Sequence, residues 1–571
     1  MEGFRFTRSQ LWAAAALAFG LLLGACGGGA DSQATTGRMA PTDQQVLRVH
    51  ITGEPKGIDP HRANFASEVT LDRLLFSSLF AYDEKLQVIP DVAAELPTVE
   101  NGGISADGTV YTIHLRKSAK WSDGQPLTAD DFVYSFKRML DPKLAGTYTS
   151  NYYSVVGAEA YNTALGTSKA PKTPTDGEMA SLRGAVKVEA KDASTLMFTL
   201  RAPNVSFLQQ LAIWPAAPVR KDVVEKYGEK WTEAGNLVGN GPFVLKSWEH
   251  NQQFVLEANP NWHRDKPNLN RIVIRIIEDD ATAYAAYLNN ELDVVTVPAA
   301  NRREVASPTS PLNKELVRSA DLATYALFFN NKDQPWDNPK VRKAFGAAFD
   351  RDIFVEGVLQ GVGLPTTSWV PPGMPGYNAA IGAQYSFNVE KARQLLAEAG
   401  FPEGRGLPPI TALIKTSATN DAIALFMQEQ FKKVLNVNID IELVDSKTYQ
   451  SRFSKGQFNL TFANWSADWP YPDNWLPEHF SSKGSFNVYQ YSNPKVDDLV
   501  KKALAETDAK KALSLFDQVH KIVVDEDAVV VPVYNREAFV LVKPRVKSFV
   551  VTGLDGQVRG DANFYRTYIA Q

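Results

Sequence analysis

Apolar and polar residues alternate from Val46 to Ile51, the period of a strand with one buried face. The spacing of Leu71, Leu74, Leu75 and Leu79 predicts a helix within 69–79. Thr109 to Leu115 alternates again as a strand. Thr128 then opens a helix, with Asp131 placed three residues later as in a capping box. The strand pairs 186–190 with 196–200 and 243–248 with 254–257 follow, then a strand over 272–277, a short helix over 281–290 and a strand over 292–295. Strands and helices continue to alternate through 341–349, 388–399, 422–434 and 439–443. In the helix at 388, Asn388 is the expected N-cap and Gly400 the stop. Residues 158–183 are rich in Gly, Pro, Thr and Ser and read as an exposed insertion. This alternation is that of a mixed α/β protein, and no repeat of fixed period runs through it.

The first 25 residues depart from this pattern. Arg5 and Arg8 precede an apolar run from Leu11 to Leu23, too short for a membrane span, and Leu23-Gly24-Ala25-Cys26 closes it. That ending is similar to a bacterial lipobox, in which the Cys is acylated and becomes the new N-terminus; an ordinary secretory signal ending near a Cys is the alternative. Residues 26–45 read as a flexible tether. Cys26 is the only cysteine in 571 residues, so no disulfide can form within the chain. Lys and Arg total 60 against 64 Asp and Glu, a net charge of -4, which gives no basic footprint for nucleic acid.

Chemistry is hard to find. The chain has no Gly-x-Ser-x-Gly elbow, no His-Glu-x-x-His and no Walker A loop. Gly361-Val362-Gly363 lacks the third glycine of a dinucleotide fingerprint. The seven histidines are scattered, so neither a metal site nor a cofactor is expected. Eleven Trp suit a large core and equally the walls of a ligand cleft.

Several segments in fixed order carry a resemblance. They are Asp91-Val92-Ala93-Ala94-Glu95-Leu96, Ala119-Lys120-Trp121-Ser122-Asp123-Gly124, Leu127-Thr128-Ala129-Asp130-Asp131-Phe132, Gly239-Asn240-Gly241-Pro242-Phe243 and Leu395-Leu396-Ala397-Glu398-Ala399-Gly400-Phe401. Together they resemble family 5 of the solute-binding proteins, the peptide- and nickel-binding component of ABC importers, with the oligopeptide-binding members nearest. The resemblance implies a two-lobed periplasmic-binding-protein-like fold of type II, with two hinge strands and an extra domain. Lobe I would comprise 46–76, 216–322 and 531–571, the extra domain 77–215, and lobe II 323–530.

The same resemblance implies the ligand site. Trp465-Ser466-Ala467-Asp468 matches the segment whose Asp holds a peptide α-amine; by itself Asp468 reads as a residue capping a turn before Pro470 and Pro472. The backbone of Asn464, Trp465 and Ser466 and that of Asn64, Phe65 and Ala66 match two stretches that hold the peptide as an added strand. Tyr148 matches a cleft tyrosine; for Tyr148, Trp465 and Trp469, packing is the alternative. Relatives hold the peptide carboxylate with basic residues where this chain has Asn420, Phe453 and Phe462, with Arg452 one position away. The cleft is therefore expected to favour longer, more apolar or differently terminated ligands. The implied function is capture of oligopeptides for ABC permease subunits by a monomer held at the membrane through Cys26, in the periplasm or at the cell surface, with no catalysis. Metal chelate, haem, glutathione or murein peptide as cargo, and a peptide-sensing or chaperone lipoprotein, are the alternatives.

Overall fold

The computed structural model describes residues 37–167, 170–484 and 486–571. The expected signal peptide and the expected lipidation site, Cys26, lie outside them. The expected tether does not run loose to Gln45. Met39 bridges Ala570, and the Ala40 N–H donates to the Ile569 carbonyl at 2.8 Å. The Gln45 side chain bonds the carbonyls of Ala40 and Ile569. Those bonds pin residues 39–45 to the C-terminal strand, an exchange that composition alone does not reveal.

The chain begins with β1 (Val46–Ile51) and α1 (Ala66–Leu75), then β2 (Val110–His114), α2 (Ala129–Met139) and α3 (Asp176–Ala185). Next come β3 (Val188–Asp192), β4 (Thr195–Thr199), β5 (Phe243–Glu249), β6 (Gln253–Ala258) and β7 (Arg271–Ile276). The last part holds β8 (Val294–Thr296), β9 (Leu316–Phe329), α4 (Val389–Glu398), β10 (Thr411–Lys415) and α5 (Ala418–Leu435). It closes with β11 (Asp440–Val444), α6 (Ser446–Phe453), β12 (Leu460–Ser466) and β13 (Val530–Val542). Alternation predicts the position of β1 correctly: Leu47, Val49 and Ile51 are wholly buried. Helix α1 starts earlier than expected because Glu68 caps it, accepting from the N–H groups of Asn64 and Phe65, and it ends earlier because Phe76 takes an extended backbone. At α2, the Asp131 carboxylate accepts from the Thr128 N–H at 2.8 Å. At α4, Asn388 accepts from the Lys391 N–H, and Gly400, at φ +96°, takes the left-handed position that ends it. The insertion expected to be exposed at 158–183 buries Ala158 and Tyr161 in the core beside β2 and β4, and its exposed remainder runs into α3, which a Thr175–Glu178 capping box starts.

Three sheets organise the molecule. β1–β7–β6–β5 is the first and β2–β4–β3 the second. The third runs β8–β13–β9–β12–β10–β11, with Leu364–Pro365 against β13. Its strands β9 and β13 join two cores. Their outer halves, where Leu316 pairs with Leu541, share a core with β8. Their inner halves, where Tyr325 pairs with Tyr534, flank β12 and the helices of residues 339–435. Between the halves the register breaks from Ala320 to Thr324, a bulge that bends the strands. The fold is thus two lobes linked by two crossing strands, with β2–β4–β3 as a third body on the first lobe. The crossing falls at 321–323 and 535–537. Residues 531–535, placed by resemblance in lobe I, pair instead with the half of β9 that carries lobe II.

Candidate functional site

Strand β12 supplies the centre of the site. It is antiparallel to β9, from Ala323 opposite Ser466 to Phe329 opposite Leu460. On its other side β10 covers only Leu460 and Thr461. The Ala467 N–H donates to the Leu322 carbonyl, so backbone groups of odd-numbered residues point to β9 and those of Asn464 and Ser466 point away. No strand among the described residues covers that edge from Phe462 to Ser466.

The two faces of β12 differ. Phe462, Asn464 and Ser466 share one face, and Asn464 Nδ2 donates to Ser466 Oγ. There Tyr325 stacks on Tyr534 with ring centroids 4.6 Å apart, and Phe462 lies 6.1 Å from Tyr325. Trp465 turns to the other face, 4.6 Å from His479 and 4.7 Å from Phe486, and its Nε1–H donates to the Asn474 carbonyl.

The chain leaves β12 through a loop stiffened by Pro470 and Pro472. Asn474 accepts from the Asp468 N–H at 2.8 Å, and the Trp469 Nε1–H and Ser206 hydroxyl both donate to Asp473. Ser206 reaches it from the β2–β4–β3 body. The Asp468 carboxyl meets the Asn474 side chain and the Tyr148 hydroxyl. No backbone N–H among the described residues donates to it, unlike a turn-capping Asp. Tyr148 packs edge-on against Trp214, whose Nε1–H donates to the Ala63 carbonyl. Asn64 Nδ2 reaches Thr147 Oγ1 at 3.4 Å. The fold therefore brings 63–66, Tyr148, 464–466 and Asp468 into one region. The N–H groups of Asn64 and Phe65 are occupied by Glu68, and the Ala66 carbonyl by the Gln557 N–H. Phe65 stands 52% exposed.

Of the positions expected to bear on a ligand carboxylate, Phe462 lies on the β12 face with Tyr325 and Tyr534, and the other three do not join it. Phe453 stacks on Tyr449 and Phe458. Asn420 bonds the Lys415 carbonyl. Arg452 is paired with Glu442 at 2.5 Å on the side toward β11.

Charge at the site is one-sided. Burial lifts the Asp468 carboxyl to about 6. Burial also lifts Asp473 to about 6, and burial followed by the charges of Asp468 and Asp473 lifts Glu478 to about 8. None of the three has a Lys or Arg in ion-pair range among the described residues. A group of carboxyls raised in this way is suited to receiving a cation. Asp473, Glu478 and Ser206 escape sequence reasoning; the only hint is a Pro-rich loop with two aspartates. No group of three or more His, Cys, Asp and Glu among the described residues is placed to hold a metal.

These shifts set a pH dependence. The raised carboxyls bind protons in the folded chain that the unfolded chain, near pH 4, has already lost. Between pH 8 and about 6.5, stability therefore rises as pH falls. Asp555, raised by burial and by Asp561, adds to that limb. Below about 6.5 three buried histidines oppose it, because burial holds His61 near 4 and His479 and His520 near 3. The empty protein should melt at rising temperature from pH 8 to 6.5 and stop gaining below; scanning calorimetry should show Glu478→Gln flattening the upper limb.

Residues 87–487 match the sequence model of the bacterial extracellular solute-binding proteins, family 5 Middle. The chain is 32% identical over 523 residues to the periplasmic oligopeptide-binding protein OppA of Escherichia coli K12, covering 90% of this chain and 91% of that one. It is 30% identical to the heme-binding protein A of Haemophilus influenzae, covering 79% and 80%. Among solved structures, the murein tripeptide-binding protein MppA in its unliganded open form aligns with a TM-score of 0.78 at 28% identity, covering 94% of this chain and 99% of that one. A second structure of MppA from Escherichia coli aligns with a TM-score of 0.70 at 28% identity, covering 92% and 98%.

Proposed function

The chain belongs to the bacterial extracellular solute-binding proteins of family 5, and from that membership we propose that it captures oligopeptides outside the cytoplasmic membrane and delivers them to an ABC permease, without catalysing a reaction. The observation that carries this reading is the unpaired edge of β12, which ends at a carboxyl with no cation partner. An extended peptide added to that edge bonds through main-chain groups alone, so its sequence is read only weakly. Its α-ammonium meets Asp468, and a charge-assisted bond there is stronger than a neutral one. The name of the OppA relative and its 32% identity support peptide as cargo. A lipid anchor at Cys26 and a monomeric state complete the proposal.

Capture works through closure. The likeness to MppA in its unliganded open form and the bulge at 321–323, where the two crossing strands bend, support a turn of the lobes about that point. A ligand touching both lobes favours the closed state by its extra contacts there.

The test is to purify residues 27–571 without denaturation and identify the bound cargo by native, then denaturing, mass spectrometry. A ladder of mixed-sequence peptides with a preferred length supports the reading. A single haem, chelate or other non-peptide species refutes it while leaving the importer role. A second check uses backbone-methylated peptides. Methylating an N–H that faces Asn464 or Ser466 should weaken binding about tenfold, the worth of one hydrogen bond and its stranded partner. Methylation at alternating positions should cost little. Uniform losses along the peptide would exclude strand addition.

A further inference from the structure

We propose that Arg536 receives a carboxylate of the bound ligand, taking the part expected of basic residues at 420, 453 and 462. This rests on the peptide reading above. Arg536 lies on β13 at the crossing between lobes, two residues from Tyr534 and so on the same face. That face carries the stacked rings of Tyr325, Tyr534 and Phe462.

The local charges do not cancel. Asp321, in the bulge of β9, is wholly buried. Arg559 holds its two oxygens at 2.9 Å each. Arg536 Nε donates to the same carboxylate at 2.7 Å. Two guanidinium groups thus share one carboxylate, leaving one positive charge in excess. The excess falls on Arg536, whose side chain is 45% exposed against 17% for Arg559. Its terminal nitrogens pair with no carboxylate among the described residues. The nearby Glu537 is taken by Arg318 at 2.6 Å.

The same loop ties this charge to the other wall of the cleft. Gln557, two residues before Arg559 and so within about 7 Å of it along the chain, donates its N–H to the Ala66 carbonyl. Arg536 therefore stands between the hinge strands and the aromatic face, and shares Asp321 with the loop that bonds Ala66. A guanidinium fixed through Nε presents its other two nitrogens as a fork, the geometry that a carboxylate accepts. Asp468 for the ammonium and Arg536 for the carboxylate would give the cleft the polarity of a zwitterionic peptide.

The carboxylate has two sources, the peptide terminus or an acidic side chain. The experiment offers the emptied protein a pool of random-sequence tri- to pentapeptides, prepared as free acids and as C-terminal amides, and measures retention by mass spectrometry. At least a tenfold preference for the acids supports a terminal carboxylate. Enrichment of Asp- and Glu-containing amides supports a side-chain carboxylate. Either preference should disappear in Arg536→Gln and persist in part in Arg536→Lys. Equal retention of acids and amides with no acidic enrichment overturns the proposal and leaves peptide binding intact. Retention of neither pool overturns it together with the peptide reading. If the Gln variant fails to fold, Arg536→Lys decides the matter: a preference for acids reduced relative to wild type supports Arg536, and an unchanged preference overturns it.

Discussion

Asp468→Asn is expected to weaken binding of peptides with a free α-amino group by about two orders of magnitude while leaving their N-acetylated forms nearly unchanged. The substitution keeps the side chain's size and its neighbours Asn474 and Tyr148, and removes only the charge. Truncating one partner of a desolvated charge pair costs about 2–5 kcal/mol, much of it the penalty on the stranded partner. Titration calorimetry at pH 7.5 suits the comparison, because the wild-type carboxyl, raised by burial to about 6, is then ionised. Wild-type affinity for free-amine peptides should fall as pH drops below about 6, where the carboxyl takes up its proton before the ligand arrives. The Asn variant should show no such fall. Equal losses for free and acetylated peptides would show that Asp468 shapes the loop and does not hold the amine.

Asp293→Ala should produce a large loss of stability, about 3 kcal/mol, with ligand affinity unchanged. Asp293 is wholly buried, just before β8, and joins three distant parts of the chain. Its carboxylate accepts from the Arg48 N–H at 2.8 Å and side chain at 3.0 Å on β1, and from Arg545 Nε at 2.8 Å after β13. Breaking a buried ion pair on one side costs about 3–5 kcal/mol. The lower end applies because the side chains of Arg48 and Arg545 are 35% and 34% exposed and regain water. Thermal melting followed by tryptophan fluorescence should show a first transition several degrees lower. A single unshifted transition would mean that the surrounding strands hold this lobe without the charge cluster.

Local pattern carried much of the fold. β1, the hairpin β5–β6 and the caps of α2 and α4 depend on residues adjacent in sequence, such as Asn388 with Lys391 or Thr128 with Asp131. Such signals survive in a bare sequence because the groups that satisfy each other lie within one turn or one strand pair. Buried strands are harder to see. β13 carries apolar runs without alternation on either side of Asn535-Arg536-Glu537, because both faces of those two halves are covered. Which half of it belongs to which lobe depends on its pairing with β9.

The site divides along the same line. Trp465-Ser466-Ala467-Asp468 can be recognised from residue order, and so can the absence of basic residues at 420, 453 and 462. That β12 has a bare edge cannot, since it depends on the pairing of β10 with β12 ending at Leu413, opposite Thr461. Nor can the contact of Tyr148 with Asp468, or the sharing of Asp321 by Arg536 and Arg559, which joins residues over 200 positions apart. Residue order alone indicated an α/β binding protein through short-range periodicity and motif, and pointed to Asp468 only through the family resemblance. Burial, charge balance and exposed edges came from the folded chain, because each is a sum over neighbours that only long-range packing brings together.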